Sequence, residues 1–141
     1  MSILSIDPGT KKAGIAIAHY EVRIAFPYTT IRYKSKEEFL IKINKIIKKE
    51  KVKKIIIGNP IDLDGRSIKT LNKVYEIIEF LKEKVSIPVI LIDERYTTKY
   101  VLRSMRNAGI KMEKFRKYRD TCSAVVILQD YLDRIESFKS C

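Results

Sequence analysis

From residue 36 onward the apolar residues of this chain switch period repeatedly, and that switching narrows the fold more than any other feature. Between Lys36 and Glu50, Phe39, Leu40, Ile43, Ile46 and Ile47 recur at helical spacing while lysines fill the opposite side, which predicts an amphipathic helix. Lys53 to Ile57 is then a β-branched run closed by Gly58, a strand signal. Ile68 to Val85 returns to the helical period through Leu71, Val74, Tyr75, Ile78 and Leu81, and Pro88 to Ile92 supplies another strand. Thr97 or Thr98 can cap a helix carrying Val101, Leu102, Met105 and Ala108, with Gly109 as its stop, and a last helix is expected from about Tyr118 to Ile135.

The first third of the chain reads differently. Ile3 to Asp7 and Gly14 to Ala18 flank a Pro-Gly-Thr-Lys-Lys turn, which predicts an antiparallel hairpin, and Ile24 to Ile31 can add a third strand. Three strands in a meander followed by alternating helices and strands give an α/β fold, a five-stranded mixed sheet with helices on both faces. No repeat or internal boundary is visible, and 141 residues suit a single domain spanning 1–141.

Composition bears on partners and compartment. Lys plus Arg total 29 against 17 Asp plus Glu, a formal charge of +12, and such an excess attracts polyanions through steering and counterion release. Nucleic acid is therefore the leading partner class, although the Lys-rich run from Lys42 to Lys54 also fits a solvated face. The apolar runs fall far short of the roughly 20 residues that span a bilayer, so no membrane segment is expected. The chain enters a strand at once with no signal-peptide pattern, and the expected location is the cytoplasm. Cys122, Cys141 and the lone His19 supply neither a disulfide framework nor a zinc site.

Carboxylates stand where carboxylates are costly. Asp7 closes the first strand with the pleat parity of Ile3 and Ser5, though an aspartate there can also be a plain turn residue. Asp93 and Glu94 end the Val89 to Ile92 run, and alternation sends one to each face without saying which. Asp120 precedes Ala124, Ile127, Leu128 and Tyr131 on one helical stripe, so its carboxylate must be paired or hold a cation. Lys117 or Arg119 could pair with it. Alternatively Asp7, one carboxylate at 93 or 94, and Asp120 converge at the carboxyl ends of the strands, and oxygen-only ligation of this kind suits Mg²⁺ or Mn²⁺. Two such cations about 3.5 to 4 Å apart can activate water and stabilise the leaving oxygen in phosphodiester cleavage.

Four ordered segments carry a family resemblance. Ile6-Asp7-Pro8-Gly9-Thr10-Lys11-Lys12-Ala13-Gly14-Ile15-Ala16 resembles the opening of the YqgF family, also called RuvX or Holliday-junction-resolvase-like proteins. Gly58-Asn59-Pro60 through Asp64-Gly65, then Asp93-Glu94-Arg95-Tyr96-Thr97-Thr98, then Asp120 through Gln129 with Tyr131-Leu132, follow in that family's order, so the resemblance covers essentially the whole chain. Asn59 and Arg119 depart from it, standing where the family more often has apolar residues, which leaves substrate contacts open. The resemblance implies a ribonuclease H-like fold and metal-dependent phosphodiester hydrolysis, with Asp7, Glu94 and Asp120 as catalytic residues and metal ligands. It further implies maturation of the 5′ end of the 16S rRNA precursor, on the precursor itself or on the pre-ribosome.

The remaining basic residues read as strand contacts. Lys11, Lys12 and Arg66 stand in turns beside the motifs, Arg95 offers a planar fork for phosphate, and Thr97 and Thr98 serve most simply as caps. Between Arg103 and Arg119 the basic residues Arg106, Lys111, Lys114, Arg116 and Lys117 meet only Glu113 in opposition, interleaved with Phe115 and Tyr118, as in a nucleic-acid-binding loop. Gly9 and Gly14 are read as turn residues that admit positive φ. Two other functions stay open at this point. A Holliday-junction resolvase acting on branched DNA shares the acidic chemistry, and a non-catalytic ribosome- or RNA-binding module shares the charge.

Overall fold

The structure is a computed structural model, and it describes residues 1–59, 68–93 and 123–135. Its elements are β1 (Ser2–Asp7), β2 (Lys12–His19), β3 (Phe26–Arg32), α1 (Lys36–Glu50), β4 (Val52–Asn59), α2 (Ile68–Lys84) and β5 (Val89–Asp93), followed by a helix over 123–135. The strands form one mixed sheet in the order β3-β2-β1-β4-β5. β1 and β2 pair antiparallel, as do β2 and β3, whereas β4 joins β1 and β5 joins β4 in parallel. The five-stranded mixed sheet expected from the periodicities is the one observed. The expected helix after Thr98 and the first turn of the last helix lie outside the described residues.

Both faces of the sheet are covered, and strand parity assigns each residue to a face. On one face Leu4 and Ile6 of β1, Ala13, Ile15 and Ile17 of β2, and Ile55 and Ile57 of β4 pack with Phe39, Ile43 and Ile46 of α1 and Val74, Ile77, Ile78 and Leu81 of α2. On the other face Ile3, Ala16, Ala18 and Ile56 meet Ala124, Ile127, Leu128 and Leu132, with Ile90 and Ile92 of β5 beside them. Burial from both sides explains why Ile55-Ile56-Ile57 is a continuous apolar run rather than an alternating one. The second face is floored by alanines, so the 123–135 helix packs against small side chains there.

Local chemistry fixes the element ends. Ser35 caps α1, its Oγ accepting from the Glu38 N–H at 3.1 Å, while the Glu38 carboxylate accepts from the Lys34 N–H at 3.0 Å. This backbone hydrogen bond, more than its Lys42 ion pair, holds the Glu38 carboxyl below its usual range. Lys51 ends the helix in the left-handed region at φ 52° and donates its N–H to the Ile47 carbonyl. The third strand begins two residues later than its apolar pattern suggests. Arg23 takes φ 57°, and the N–H groups of Val22 and Arg23 both donate to the His19 carbonyl, so the β2–β3 connection extends up to Ala25. Pro27 is tolerated because β3 closes that edge of the sheet and its register against β2 shifts between Ile15 and Ala16.

Candidate active site at the carboxyl edge of the sheet

Asp7 is the last residue of the central strand. There β1 is flanked by antiparallel β2 on one side and parallel β4 on the other, and the carboxyl ends of β1, β4 and β5 share one edge. Ligands of open α/β sheets bind along that kind of edge. Asp7 is half-buried and has the parity of Ile3 and Ser5, both buried on the face covered by the 123–135 helix. Its partner across the ladder is Gly14, so no side chain stands directly opposite the carboxylate.

The helix that covers Asp7's face is tied to β1 directly. Buried Ser5 donates its hydroxyl to the Ala124 carbonyl at 2.6 Å, two residues before Asp7 on the same strand. A second tie runs from the Ala25 N–H to Gln129 Oε1 at 3.0 Å, and Gln129 Nε2 donates in turn to Asp133 Oδ1. A third sets Lys54 against Tyr131: Nζ donates to the hydroxyl at 2.9 Å and lies 5.5 Å from the ring centroid, and this hydrogen bond raises the Lys54 pKa. The ties made by Ser5 and Gln129 were not legible in the sequence, because they join residues more than a hundred positions apart.

The turn after Asp7 is held from the opposite face. A Cβ on Gly9 would lie 2.5 Å from the Lys12 carbonyl oxygen, so close approach of backbone requires glycine there rather than a left-handed φ. Gly14 likewise has a different role from the one expected, since it lies inside β2, opposite Asp7 and Thr30. Tyr33 donates its hydroxyl to the Gly9 carbonyl, its N–H bonds the Lys11 carbonyl at 3.0 Å, and its ring stacks on Phe39 at 4.6 Å between centroids. Burial pushes the Tyr33 phenol up to about 12. Lys12 belongs to β2 rather than to the turn, and Lys11 precedes it on the exposed surface.

Of the carboxylates singled out, Asp7 is the one whose side chain is described. Glu94 and Asp120 lie outside the described residues, as do Arg66, Arg95, Lys114, Arg116, Lys117 and Arg119. Among the described residues no group of three His, Cys, Asp or Glu side chains forms a metal-holding cluster. The ambiguity at the end of β5 is narrowed by its neighbours. Ile90 and Ile92 pack on the face of Ser5 and Ala124, whereas Val89 packs on the α1–α2 face, so the even-numbered positions of β5 share Asp7's face.

The sequence model of the RuvX family, described as a Holliday junction resolvase, matches residues 1–134. The chain belongs to the RuvX family. It is 36% identical over 135 residues to a protein of Rickettsia africae named "Putative pre-16S rRNA nuclease", covering 96% of this chain and 88% of that one. A Maridesulfovibrio salexigens protein of the same name is 34% identical, covering 95% of this chain and 99% of that one. Among solved structures the Thermus thermophilus RuvC in complex with a Holliday junction substrate superposes with a TM-score of 0.65 at 10% identity, covering 97% and 96% of the two chains. The Fowlpox virus resolvase bound to Holliday junction DNA gives 0.56 at 12% identity, covering 96% and 99%. At those identities the likeness establishes the fold, which is that of the RuvC-type resolvases, ribonuclease H-like as the RuvX resemblance implied. No described helix is long and apolar enough to cross a membrane.

Proposed function

We propose that this RuvX-family chain is one nuclease domain over 1–141 that hydrolyses phosphodiester bonds of the 16S rRNA precursor near its 5′ end. The observation that carries the reading is Asp7, half-buried at the carboxyl edge of the central strand, on the face to which Ser5 ties the helix of Ala124. Asp120 precedes Ala124 by four positions in sequence, one helical repeat, and Glu94 is the next even-numbered position after Ile92. These offsets support Asp7, Glu94 and Asp120 as one ligand set and leave Asp93 out of it. An all-oxygen set suits Mg²⁺ or Mn²⁺, and the absence of any side chain at Gly14 suits access to Asp7. A divalent cation bound there would supply the Lewis acidity for attack of water on the phosphodiester. The three carboxylates would hold that cation, and the basic residues Lys11, Lys12, Arg66, Arg95, Lys114, Arg116, Lys117 and Arg119 would hold the substrate phosphates.

The names of the curated relatives favour rRNA precursor as substrate, while the family description favours a branched DNA junction. One experiment separates them. Labelled precursor rRNA and a four-way DNA junction are incubated in parallel with Mg²⁺, Mn²⁺ or chelator, using wild type and Asp7→Asn. The expected result is metal-dependent cleavage of the RNA, reduced at least a hundredfold by Asp7→Asn with the fold preserved by circular dichroism. Junction cleavage instead would make the protein a resolvase, and binding of both without cleavage of either would make it a non-catalytic RNA-binding module.

A further inference from the structure

A concavity opens between the β1–β2 turn and α2. It encloses about 630 Å³ and is lined by Lys11, Lys34, Lys69 and Lys73, with Thr10 and Thr70 between them. Three separate segments supply these lysines: the β1–β2 turn, the residue following Tyr33 after β3, and the first two turns of α2. All four are exposed, and Lys11, Lys69 and Lys73 make no ion pair with a described carboxylate. Two other surface lysines are paired with carboxylates, Lys36 with Glu76 at 3.2 Å and Lys42 with Glu38 at 3.1 Å. Four lysines lining one cleft give it a positive potential that favours an anion there.

We propose that this cleft takes the phosphodiester backbone of a nucleic-acid strand as it leaves the Asp7 edge for the α2 side of the sheet. Thr10 and Lys11 follow Asp7 by three and four positions, through a turn that Tyr33 and the close packing of Gly9 hold fixed, so the candidate site and the cleft are joined by ordered backbone. Exposed ammoniums on flexible stems, in a space this large, suit a run of phosphates better than one small anion, which calls for buried, fixed donors. The cleft depends on the nuclease reading for the identity of the polyanion alone.

The test measures binding without cleavage. Association of labelled single-stranded RNA and of duplex DNA is followed in chelator across a KCl titration, for wild type, for Lys69→Gln/Lys73→Gln and for Lys48→Gln/Lys49→Gln. The last pair removes equal charge from the far end of α1, where that helix leads into the start of β4. The cleft variant is expected to bind at least tenfold more weakly at low salt. Its slope of log K against log salt should fall by about 1.4 for RNA and about 1.8 for duplex DNA, as removal of two phosphate-neutralising charges requires. The control pair should leave the slope unchanged. Equal slopes in all three proteins would overturn the proposal, as would a thermal shift with inorganic phosphate that the cleft variant alone loses while its slope stays at the wild-type value. Cleavage by wild type in Mg²⁺ tests the nuclease reading separately, so a protein that cuts yet keeps its slope in the cleft variant loses the cleft and nothing else. Should the glutamine pair unfold, Lys11→Gln/Lys34→Gln reads the same slope from the other wall.

Discussion

At the scale of single residues, Ser5 and Tyr33 show how the Asp7 turn is held from both faces of the sheet. The buried Ser5 hydroxyl donates to the Ala124 carbonyl at 2.6 Å and so ties the 123–135 helix to β1. Ser5→Ala removes a buried hydrogen bond, with an expected loss of about 1 kcal/mol of stability. As a positioning residue it should lower kcat several-fold with little change in KM, since the helix whose chain leads back to Asp120 is no longer tied to the strand of Asp7; a proportional fall in folded fraction with normal kcat per folded molecule would make Ser5 merely structural. Tyr33 gives a pH signature. Its phenol is raised from 10.0 to about 12, so the folded state holds that proton more tightly than the unfolded chain. The corresponding stability is fully present below pH 10 and is lost as pH rises through about 12. Comparing urea unfolding of wild type and Tyr33→Phe between pH 9 and pH 12 should show a decline on the order of 2 kcal/mol that is absent in the variant. Parallel declines in both would assign it to other groups.

At the scale of elements, the sequence was most legible where one physical signal dominated. The 3.6-residue period of Phe39, Ile43 and Ile46 found α1 to the residue, because the same three side chains are its buried stripe. The Ile55-Ile56-Ile57 run found β4 because both its faces are covered. Strand ends were less legible: β2 runs from Lys12 to His19, two residues earlier and one later than its apolar core, since ladder hydrogen bonds continue where side chains turn polar. The lysine cleft was invisible, as Lys11, Lys34 and Lys69 meet through the fold and not through any spacing in the chain. Parity at β5 was legible only as an even choice between Asp93 and Glu94, and it took the packing of Ile90 and Ile92 with Ala124 to favour one face. The expected outcome is therefore asymmetric. Glu94→Gln should lower metal-dependent cleavage at least a hundredfold, while Asp93→Asn should leave it within a few-fold of wild type. Equal and mild effects would remove the end of β5 from the ligand set.

At the scale of the molecule, the proposed ligand set has a chain of net charge +12 gather carboxylates at one edge of its sheet, and that opposition sets how cations act on it. Bringing Asp7 near two further carboxylates costs repulsion in the folded state that the unfolded chain does not bear, so a divalent cation held by them should stabilise folding by linkage. With free Mg²⁺ or Mn²⁺ at about a hundred times the dissociation constant the gain is about 2.7 kcal/mol, large enough to raise Tm by several degrees in a domain of this size. Ordinary screening also relieves the self-repulsion of so basic a chain and so raises Tm in the same direction, and equal ionic strength of KCl corrects for it. Asp7→Asn should abolish the cation-specific rise and itself increase Tm in chelator, because one member of the repelling set has become neutral. That second effect distinguishes a metal site from a merely structural aspartate, whose replacement would lower Tm with and without cation. A rise in Tm with Mg²⁺ that survives Asp7→Asn unchanged would place the cation elsewhere on the chain and separate the carboxyl edge from metal binding altogether.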